Sequence, residues 1–571
     1  MPGSQENISR LARLREEEFD IVVIGGGIIG AGLARDAALR GLRVALFEKR
    51  DFGSGTTAGS TRLIHGGLRY LEMLDFRLVR MDLRERETLL KIAPHLVRPL
   101  EFIMPFYRRS IFHRAKMRIG MRLYDLLSYD KSLPHHRFLS ASELKELEPN
   151  LRQEGLQGAA VYFDAQANSP ERLCLENIID AHEHGAQTFN YTEVTGAALE
   201  GGNIKSVRVR DLFSDDKTEF TIKSRIVINA SGAWFDRVAG TLTAHPPEQI
   251  RTTKGVHITC PPVTKRAIVV FSSVDERLMF VIPWLGYSWL GTTDTDFTGD
   301  PATVQTNAED VDYMLRSVTP YFPALDTKQI YFSNAGVRAL VKEEGSESSV
   351  SRMHRIADGA GSGASNLISV LGGKITGYRA IAEEAVDAAC AKLKVNASCQ
   401  TAVRPLPGAR GERAVTDAID ATDIKNAPSA GLTEDTVAHL FHLYGNRAGE
   451  VIALAAESEC LREPLSPHAP DIAAQVVFAV RTEQCARLVD FLLRRTLLGF
   501  SLDQGQSAAP RVASLLAREL GWLPARTAIE MREYQNHIAV TQAFRNGVAA
   551  TKQNAANEQR AIVERVSPLV A

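Results

Sequence analysis

Three glycines, Gly25, Gly27 and Gly30, stand in G-x-G-x-x-G spacing directly after the apolar run Ile21-Val22-Val23-Ile24. That spacing serves a tight turn, close backbone approach to a pyrophosphate, and close packing of a helix on a strand. A helix starting here aims its first N–H groups at the anion. Glu48 closes a second apolar run, 44–47, where a carboxylate can hold a ribose hydroxyl. A small, hydroxyl-rich stretch follows, Gly53-Ser54-Gly55-Thr56-Thr57-Ala58-Gly59-Ser60-Thr61, able to wrap a pyrophosphate with backbone and side-chain donors. Beyond it, Arg62-Leu63-Ile64-His65-Gly66-Gly67-Leu68-Arg69-Tyr70-Leu71-Glu72 places basic groups among glycines. The chemistry is dinucleotide binding. No second complete fingerprint occurs: Gly359-Ala360-Gly361-Ser362-Gly363 follows no strand and precedes no clear helix, and reads as a loop.

A parallel sheet is needed to carry these residues. Strands over 21–24 and 44–47, joined by a helix over 31–39, make its first unit. The run 224–232 reads as another apolar strand emptying into a small-residue turn, which brings Ala230 and Gly232 to the cofactor. Gly372-Gly373-Lys374 plays a similar role late in the chain, before a helical pattern over 378–393. Three parts follow. Segments 19–90, 150–240 and 330–410 assemble the nucleotide-binding domain. Segments 91–149 and 241–329 supply short strands, such as 268–271 and 279–283, for an antiparallel substrate-binding sheet with a helical insertion. The third part, 411–571, lacks strand-like alternation and shows helical periodicity, for example over 473–493. Arg404-Pro405-Leu406-Pro407-Gly408 marks the boundary before it. The fold class predicted is an α/β Rossmann-like domain with an α+β substrate domain and an all-α C-terminal domain.

Composition narrows the partners. The 571 residues suffice for two or three domains with substantial cores, and a net charge of −1 with 24% charged residues points away from nucleic acid. Six cysteines, none in C-x-x-C spacing, argue against a metal site or a disulfide framework and for free thiols in a reducing compartment. Residues 1–18 are polar and charged without an apolar signal core. No apolar run approaches the roughly 18–20 residues that span a bilayer.

The segment 60–72 resembles the corresponding segment of flavin-dependent glycerol-3-phosphate dehydrogenases. So do Val281-Ile282-Pro283-Trp284, Gly291-Thr292-Thr293-Asp294, Gly336-Val337-Arg338 and Gly372-Gly373-Lys374-Ile375-Thr376-Gly377-Tyr378-Arg379. Near the end, Tyr444-Gly445-Asn446-Arg447 and Leu493-Arg494-Arg495-Thr496 are similar to that family's C-terminal helical domain. Separated blocks in one order are more specific than any single block. The resemblance implies an FAD-binding domain and an enzyme that oxidises glycerol 3-phosphate to dihydroxyacetone phosphate. The hydride of C2 goes to flavin N5, and one dinucleotide site leaves a quinone or oxygen to take the electrons onward. The residues expected at FAD are Gly25, Gly27, Gly30, Glu48, Thr57, Ser60, His65, Gly66, Val194, Ala230, Gly232, Gly373, Lys374, Ile375 and Thr376.

A phosphate dianion needs several cationic donors, and Arg69, Arg338, Arg352, Arg355 and Lys374 are the candidates. The resemblance places Arg338 and Arg352 on the phosphate, with Arg355 close enough in sequence to exchange roles with Arg352. It places Arg69, Tyr70, His257 and Lys374 around the reacting carbinol. His257 is the first choice for general base because an imidazole can titrate near neutral pH, and His65 is its rival. Arg69 and Lys374 can stabilise a developing alkoxide or reduced flavin. The chain departs from the family at Pro170-Glu171-Arg172, where an aspartate-alanine-arginine sequence is common, with one extra residue upstream.

Residues 108–122 carry Arg108, Arg109, Arg114, Lys116, Arg118 and Arg122 among apolar residues, with no acid before Asp125. Such a segment can lie on an anionic leaflet, each cation contributing about 1 kcal/mol. A solvated helix packed on the substrate domain is the alternative. A quinone in the bilayer favours a cytoplasmic protein attached peripherally to the inner face of the cell membrane. The acceptor readings are then a quinone-linked dehydrogenase or a peroxide-releasing oxidase, although the long central insertion usual in the family's oxidases is absent. A non-catalytic FAD-binding sensor or scaffold is the reading from another class. Calcium-loop spacing is missing, so no metal is expected, and a homodimer is left open.

Overall fold

The computed structural model describes residues 2–107, 111–213, 218–244, 246, 249–342, 353–411 and 430–545, of which 2–7, 111–115 and 362 are described by backbone alone. Two large sheets organise the chain. The first has eight strands, with Arg355–Asp358, Leu367–Leu371, Glu219–Asn229, Glu18–Ile24, Val44–Phe47 and Gln187–Phe189 in that order. Its centre is parallel: Ile21 lies beside both Ile226 and Val44, and Val227 beside Leu367. Arg355–Asp358 caps one edge in antiparallel sense. The hairpin Thr192–Glu200 and Asn203–Asp211 extends the early part of Glu219–Asn229.

Alternation along Glu18–Ile24 decides what each face packs against. Ile21 and Val23 enter a core shared with the helices Ile28–Leu39, Pro170–Glu183 and Tyr378–Leu393. Val22 and Ile24 enter another with Phe47, Phe189 and the first helix, Pro2–Leu14, through Leu11 and Leu14. All eight of these side chains are buried, so the strand reads as a continuous apolar run because both faces are covered. Pro170–Glu183 begins where the sequence leaves the family pattern. Ser169 accepts from the Arg172 N–H and Pro170 supplies a preset φ in the first turn, which makes a strong start signal from those same residues.

The second sheet has ten strands. Its path runs Thr295–Asp296, Ile250–Cys260, Tyr287–Gly291, Leu278–Trp284, Ala267–Phe271, Val97–Phe106, Gly158–Ala167 and Leu63–Ile64. Phe332–Val341 adds to Ile250–Cys260, and Arg137–Ser140 to Gly158–Ala167. All its pairs are antiparallel except Ala267–Phe271 with Val97–Phe106. Gly158–Ala167 and Phe332–Val341 fall within ranges read from the sequence as cofactor domain, yet they pair in this second sheet. Each follows a strand of the second sheet and precedes one of the first, so the chain crosses between the two bodies there and linear ranges cannot separate them.

The C-terminal part contains the helices Glu434–Tyr444, Ala448–Glu457, Ala473–Thr482, Ala509–Leu520 and Pro524–Thr541. It also holds a short two-stranded ribbon, Pro464–Ser466 with Ala469–Ile472, which the reading of this part as all-helical did not foresee. Three- and four-residue strands around a turn leave little alternation to detect. Phe491, Leu492 and Phe500 pack in one core with Trp284 and Trp289 of the second sheet.

Candidate active site

A cavity of about 430 Å³ runs between the two sheets. Its wall includes Gly25, Gly27, Glu48, Thr57, Ser60, Val194, Ala230 and Gly232 from one side, and Arg338, Gly373, Lys374 and Ile375 further along. The fingerprint glycines do different work there. Gly25 has φ +106°, and a Cβ on it would stand 2.7 Å from the Ala230 carbonyl oxygen, so only glycine passes the neighbouring strand end. Gly30 does not line the cavity. A Cβ on Gly30 would lie 1.8 Å from the Gly25 carbonyl oxygen, so this glycine serves the packing of helix on turn.

The nucleotide end is preorganised. Glu48 accepts from the Gly26 N–H at 2.7 Å and the Arg50 N–H at 2.8 Å, which fixes its carboxylate beside the fingerprint turn. Burial pushes that carboxyl above its usual range, and the two N–H donors act against the shift. Thr57 Oγ1 accepts from the Ile28 N–H at 3.0 Å, so the hydroxyl-rich loop is latched to the first turn of the helix Ile28–Leu39. Behind the loop, Asp51 meets Arg495 at 2.5 and 3.0 Å and Arg494 at 2.5 Å, all buried. The two guanidiniums hold the Asp51 carboxyl below its ordinary range despite burial. Glu171 pairs through both oxygens with Arg62, at 2.8 and 3.0 Å, and Arg172 with Glu483, at 2.8 and 3.1 Å. The departure at Pro170-Glu171-Arg172 thus supplies two buried anchors. An open cradle of glycine backbone, a helix N-terminus and an acid at the second strand fits a dinucleotide such as FAD.

The other end collects cations. Arg338 Nη2 donates to Thr292 Oγ1 at 2.8 Å, and Nη1 to the Thr293 carbonyl and to Asp294, both at 3.1 Å. Asp294 also pairs with Arg277 at 3.1 Å. Gly255 clears the space, since a Cβ there would lie 2.2 Å from Arg338 Nη2. Lys374 Nζ bonds to Asp82 and stands 4.1 Å from the centre of the Tyr70 ring. Arg69 is half-buried on the same short turn as Tyr70, Leu68–Leu71. Arg352 lies outside the described residues. Arg355 is exposed and donates to Gln249 at 3.0 Å, and it does not line the cavity.

Neither histidine lines the cavity. His257 is buried, stacks on Trp289 at 5.0 Å, and shares a 3.1 Å hydrogen bond between Nε2 and the hydroxyl of Thr61, which does line it. Gly291 makes room, because a Cβ there would lie 2.2 Å from His257 Cδ2. Burial, then the charges of Arg338 and Arg62, push His257 well below the usual imidazole range, away from the near-neutral titration expected from sequence. His65 is lowered to about 3 by burial and by Lys374. The His65 N–H donates to Thr376 Oγ1 at 3.2 Å, and the Gly66 N–H to Asp164 at 3.4 Å. His65, Gly66 and Thr376 therefore form a layer behind the cavity wall. Asp82 and Asp51 went unread in the sequence, and Thr61 and Asp294 were read only as members of longer segments, without a role of their own. Asp82 and Glu85 lie on one inward face of the helix Phe76–Ile92, a signal hidden by the charged residues around them.

Residues 20–383 match the family described as FAD dependent oxidoreductase, and residues 399–527 match the C-terminal domain of alpha-glycerophosphate oxidase. A glycerol-3-phosphate dehydrogenase of Synechocystis sp. is 40% identical over 92% of this chain and 97% of its own. One from Mycobacterium leprae is 35% identical over 99% and 96%. The crystal structure of glycerol-3-phosphate dehydrogenase from Bacillus halodurans complexed with FAD superposes with a TM-score of 0.77 at 28% identity, covering 95% of this chain and 98% of that one. A cavity built by the fingerprint turn at one end and closed by Arg338 and Lys374 at the other, in a chain matched along nearly its whole length, places this protein in the glycerol-3-phosphate dehydrogenase family of FAD-dependent enzymes.

Proposed function

We propose that the chain oxidises sn-glycerol 3-phosphate to dihydroxyacetone phosphate and delivers the electrons to a quinone. The observation that carries this reading is the single cavity shared by the dinucleotide cradle and by Arg338 and Lys374. When bound, FAD supplies the two-electron acceptor for the C2 hydride. Arg338, immobilised at three points, presents its guanidinium to the phosphate, and Arg352 is its expected partner there. Lys374, Tyr70 and Arg69 surround the carbinol, where the ammonium group favours the alkoxide as the hydroxyl proton leaves. Thr61 carries that proton from the cavity to His257, which is neutral at pH 7 and so has a lone pair to receive it. The names of the relatives support this substrate.

The quinone reading draws support from one end of the molecule. Ile119 and Leu126 on the helix Ile111–Leu127 are exposed, as are Tyr129 just after it and Leu74 and Phe76 at the start of the helix Phe76–Ile92 that contacts it, with Lys116, Arg118 and Arg122 also exposed on Ile111–Leu127. Lys116 spends part of its charge on Glu72 at 3.2 Å. Arg108 and Arg109 lie outside the described residues, and Arg114 is described by backbone alone. Among the described residues no helix is long and apolar enough to cross a membrane. The reading is peripheral attachment to an anionic membrane face, tested by pelleting with anionic vesicles at low salt. Pelleting that survives neutralisation of Lys116, Arg118 and Arg122 removes this helix from the contact.

The deciding experiment is anaerobic mixing of the yellow holoenzyme with glycerol 3-phosphate while flavin absorbance is followed. Rapid bleaching, reversed by a quinone analogue and only slowly by oxygen, is the expected result. Fast recolouring in air with peroxide release assigns an oxidase, and no bleaching refutes the substrate.

A further inference from the structure

We propose that Asp82 is a positioning residue for the reaction, acting through Lys374 by holding its ammonium group over the Tyr70 ring at the reacting end of the cavity. The proposal rests on the reading above, in which Lys374 faces the carbinol. Asp82 is buried on the helix Phe76–Ile92, three residues before the buried Glu85, so both carboxylates leave one face of that helix. Asp82 Oδ2 accepts from Lys374 Nζ, and Glu85 accepts from Arg379 through both oxygens, at 2.8 and 2.6 Å. One helix face therefore grips two cations that flank Gly377, at the start of the helix Tyr378–Leu393. Of the two gripped cations, only Lys374 lines the cavity.

The pair is poorly built for stability alone. Asp82 Oδ1 is buried with no hydrogen-bond partner among the described residues, whereas the Glu85–Arg379 pair is matched oxygen for nitrogen. A buried carboxylate left half-satisfied contributes little to folding, and its effect is to fix where Lys374 stands. Lys374 has four rotatable bonds, so a fixed acid at its tip removes most of its conformational freedom before substrate arrives.

The surroundings make this tether pH-sensitive. Glu85 on the same helix and Asp164 on Gly158–Ala167 add negative charge, Asp164 being shared by Arg86 and Tyr124. Lys374 opposes them, Arg379 is taken up by Glu85, the Tyr70 ring lies against Lys374, and His65, lowered to about 3, adds no charge at pH 7. Burial prevails and raises the Asp82 carboxyl to about 6. The tether is thus charged above that pH and released below it.

The test compares Asp82→Asn, Asp82→Glu, Lys374→Gln and the double variant D82N/K374Q as holoenzymes. Asp82→Asn is expected to lower kcat by about tenfold to a hundredfold, the loss typical of a misplaced group, with KM little changed. It should also erase the acid limb of kcat near pH 6, and Asp82→Glu should restore part of both. The flavin midpoint potential, read by dye equilibration without turnover, should rise in Asp82→Asn because an anion is removed beside the ammonium group. In the Lys374→Gln background the second change should add less than about twofold, the limit for residues acting as one unit. Wild-type kcat and pH profile with an unmoved potential in Asp82→Asn overturn the proposal, and so do losses that multiply in the double variant. If Asp82→Asn fails to hold FAD, equality of the double variant with Lys374→Gln still supports it and a further loss overturns it. Because the potential needs no substrate, a wrong substrate shows in the bleaching experiment and removes the kcat readouts, while the comparison of flavin potentials still decides the proposal.

Discussion

Replacing Asp51 with alanine should loosen the cofactor loop and the C-terminal helices together. Asp51 is the common acceptor of Arg494 and Arg495, and it also accepts from Asn190 Nδ2 at 3.0 Å. After truncation Arg494 keeps Asp490 at 2.7 Å, and Asn190 keeps the Gln484 carbonyl at 3.0 Å. Among the described residues Arg495 keeps only the carbonyls of Glu483, at 2.8 and 3.1 Å, and of Gln484. A guanidinium cannot shed its proton to escape burial, so one uncompensated charge is left in the interior. Removing one partner of such a pair costs about 3–5 kcal/mol. At about 1.4 kcal/mol per tenfold, that is roughly two to three and a half decades in the local opening equilibrium. Native-state hydrogen exchange across 48–58 and 485–500 reads it directly, with loss of FAD on dilution as a second observable. Asp130→Ala, which breaks the exposed Arg80 pair, is the control and should cost about 0–1 kcal/mol. Replacing Asp51 and Arg495 together with apolar residues should recover much of the loss. Protection in Asp51→Ala equal to that in Asp130→Ala would refute the assignment of this pair as the link between the two bodies.

Glu48→Gln keeps one acceptor for the Gly26 and Arg50 N–H groups but loses the charge, and should weaken FAD by about tenfold to a hundredfold, from a charged hydrogen-bond loss of about 1.5–3 kcal/mol. Fluorescence titration of apoprotein with FAD checks it. His257→Asn should lower kcat by about a hundredfold to ten-thousandfold with the flavin spectrum unchanged, the range for a lost general base. The same variant tests a stability effect: His257 and His65 are held neutral in the fold below their unfolded value of about 6.5, so the unfolded chain takes up their protons first and stability falls as pH drops below that value. Thermal unfolding between pH 7 and 5 should show a slope of about 1.4 kcal/mol per pH unit for each histidine, reduced by one such increment in His257→Asn. Arg338→Lys cannot reproduce the planar fork to Thr292, Thr293 and Asp294, so KM for glycerol 3-phosphate should rise by about tenfold or more while kcat changes less.

Much of the cofactor half was legible because its signals are local. The turn at Gly25, the strand before it and Glu48 after it lie within one short stretch, and their spacing alone implies the geometry that Gly25's φ of +106° and the Glu48 contacts display. The substrate half was legible only through resemblance. Arg338 was identified from its motif and Asp294 stands in another, but nothing local shows that Asp294, forty-four residues earlier, and Gly255, eighty-three earlier, shape the position of Arg338. His257 shows the converse: the residue was recognised, yet its environment was not, because burial and two distant arginines set its proton affinity.

Buried charge explains why the sequence yields so little about the C-terminal helices. Arg494 and Arg495 enter the sequence reading only as part of a family-like block, and their partner Asp51 lies more than four hundred positions away. Arg172 and Glu483, and Lys374 and Asp82, are likewise partners far apart in the chain. In each pair one partner lies beside the cofactor turn or the reacting end and the other on an element that periodicity alone identifies only as a helix or loop. A charged residue costs several kcal/mol to bury without its partner, so each half constrains where the other can be. That constraint acts in three dimensions, and half a pair written in one dimension looks no different from a solvated side chain. The C-terminal domain is therefore tied to the chemistry through charges whose partners only the fold reveals, and Asp51 is where that tie reaches the turn that follows Glu48.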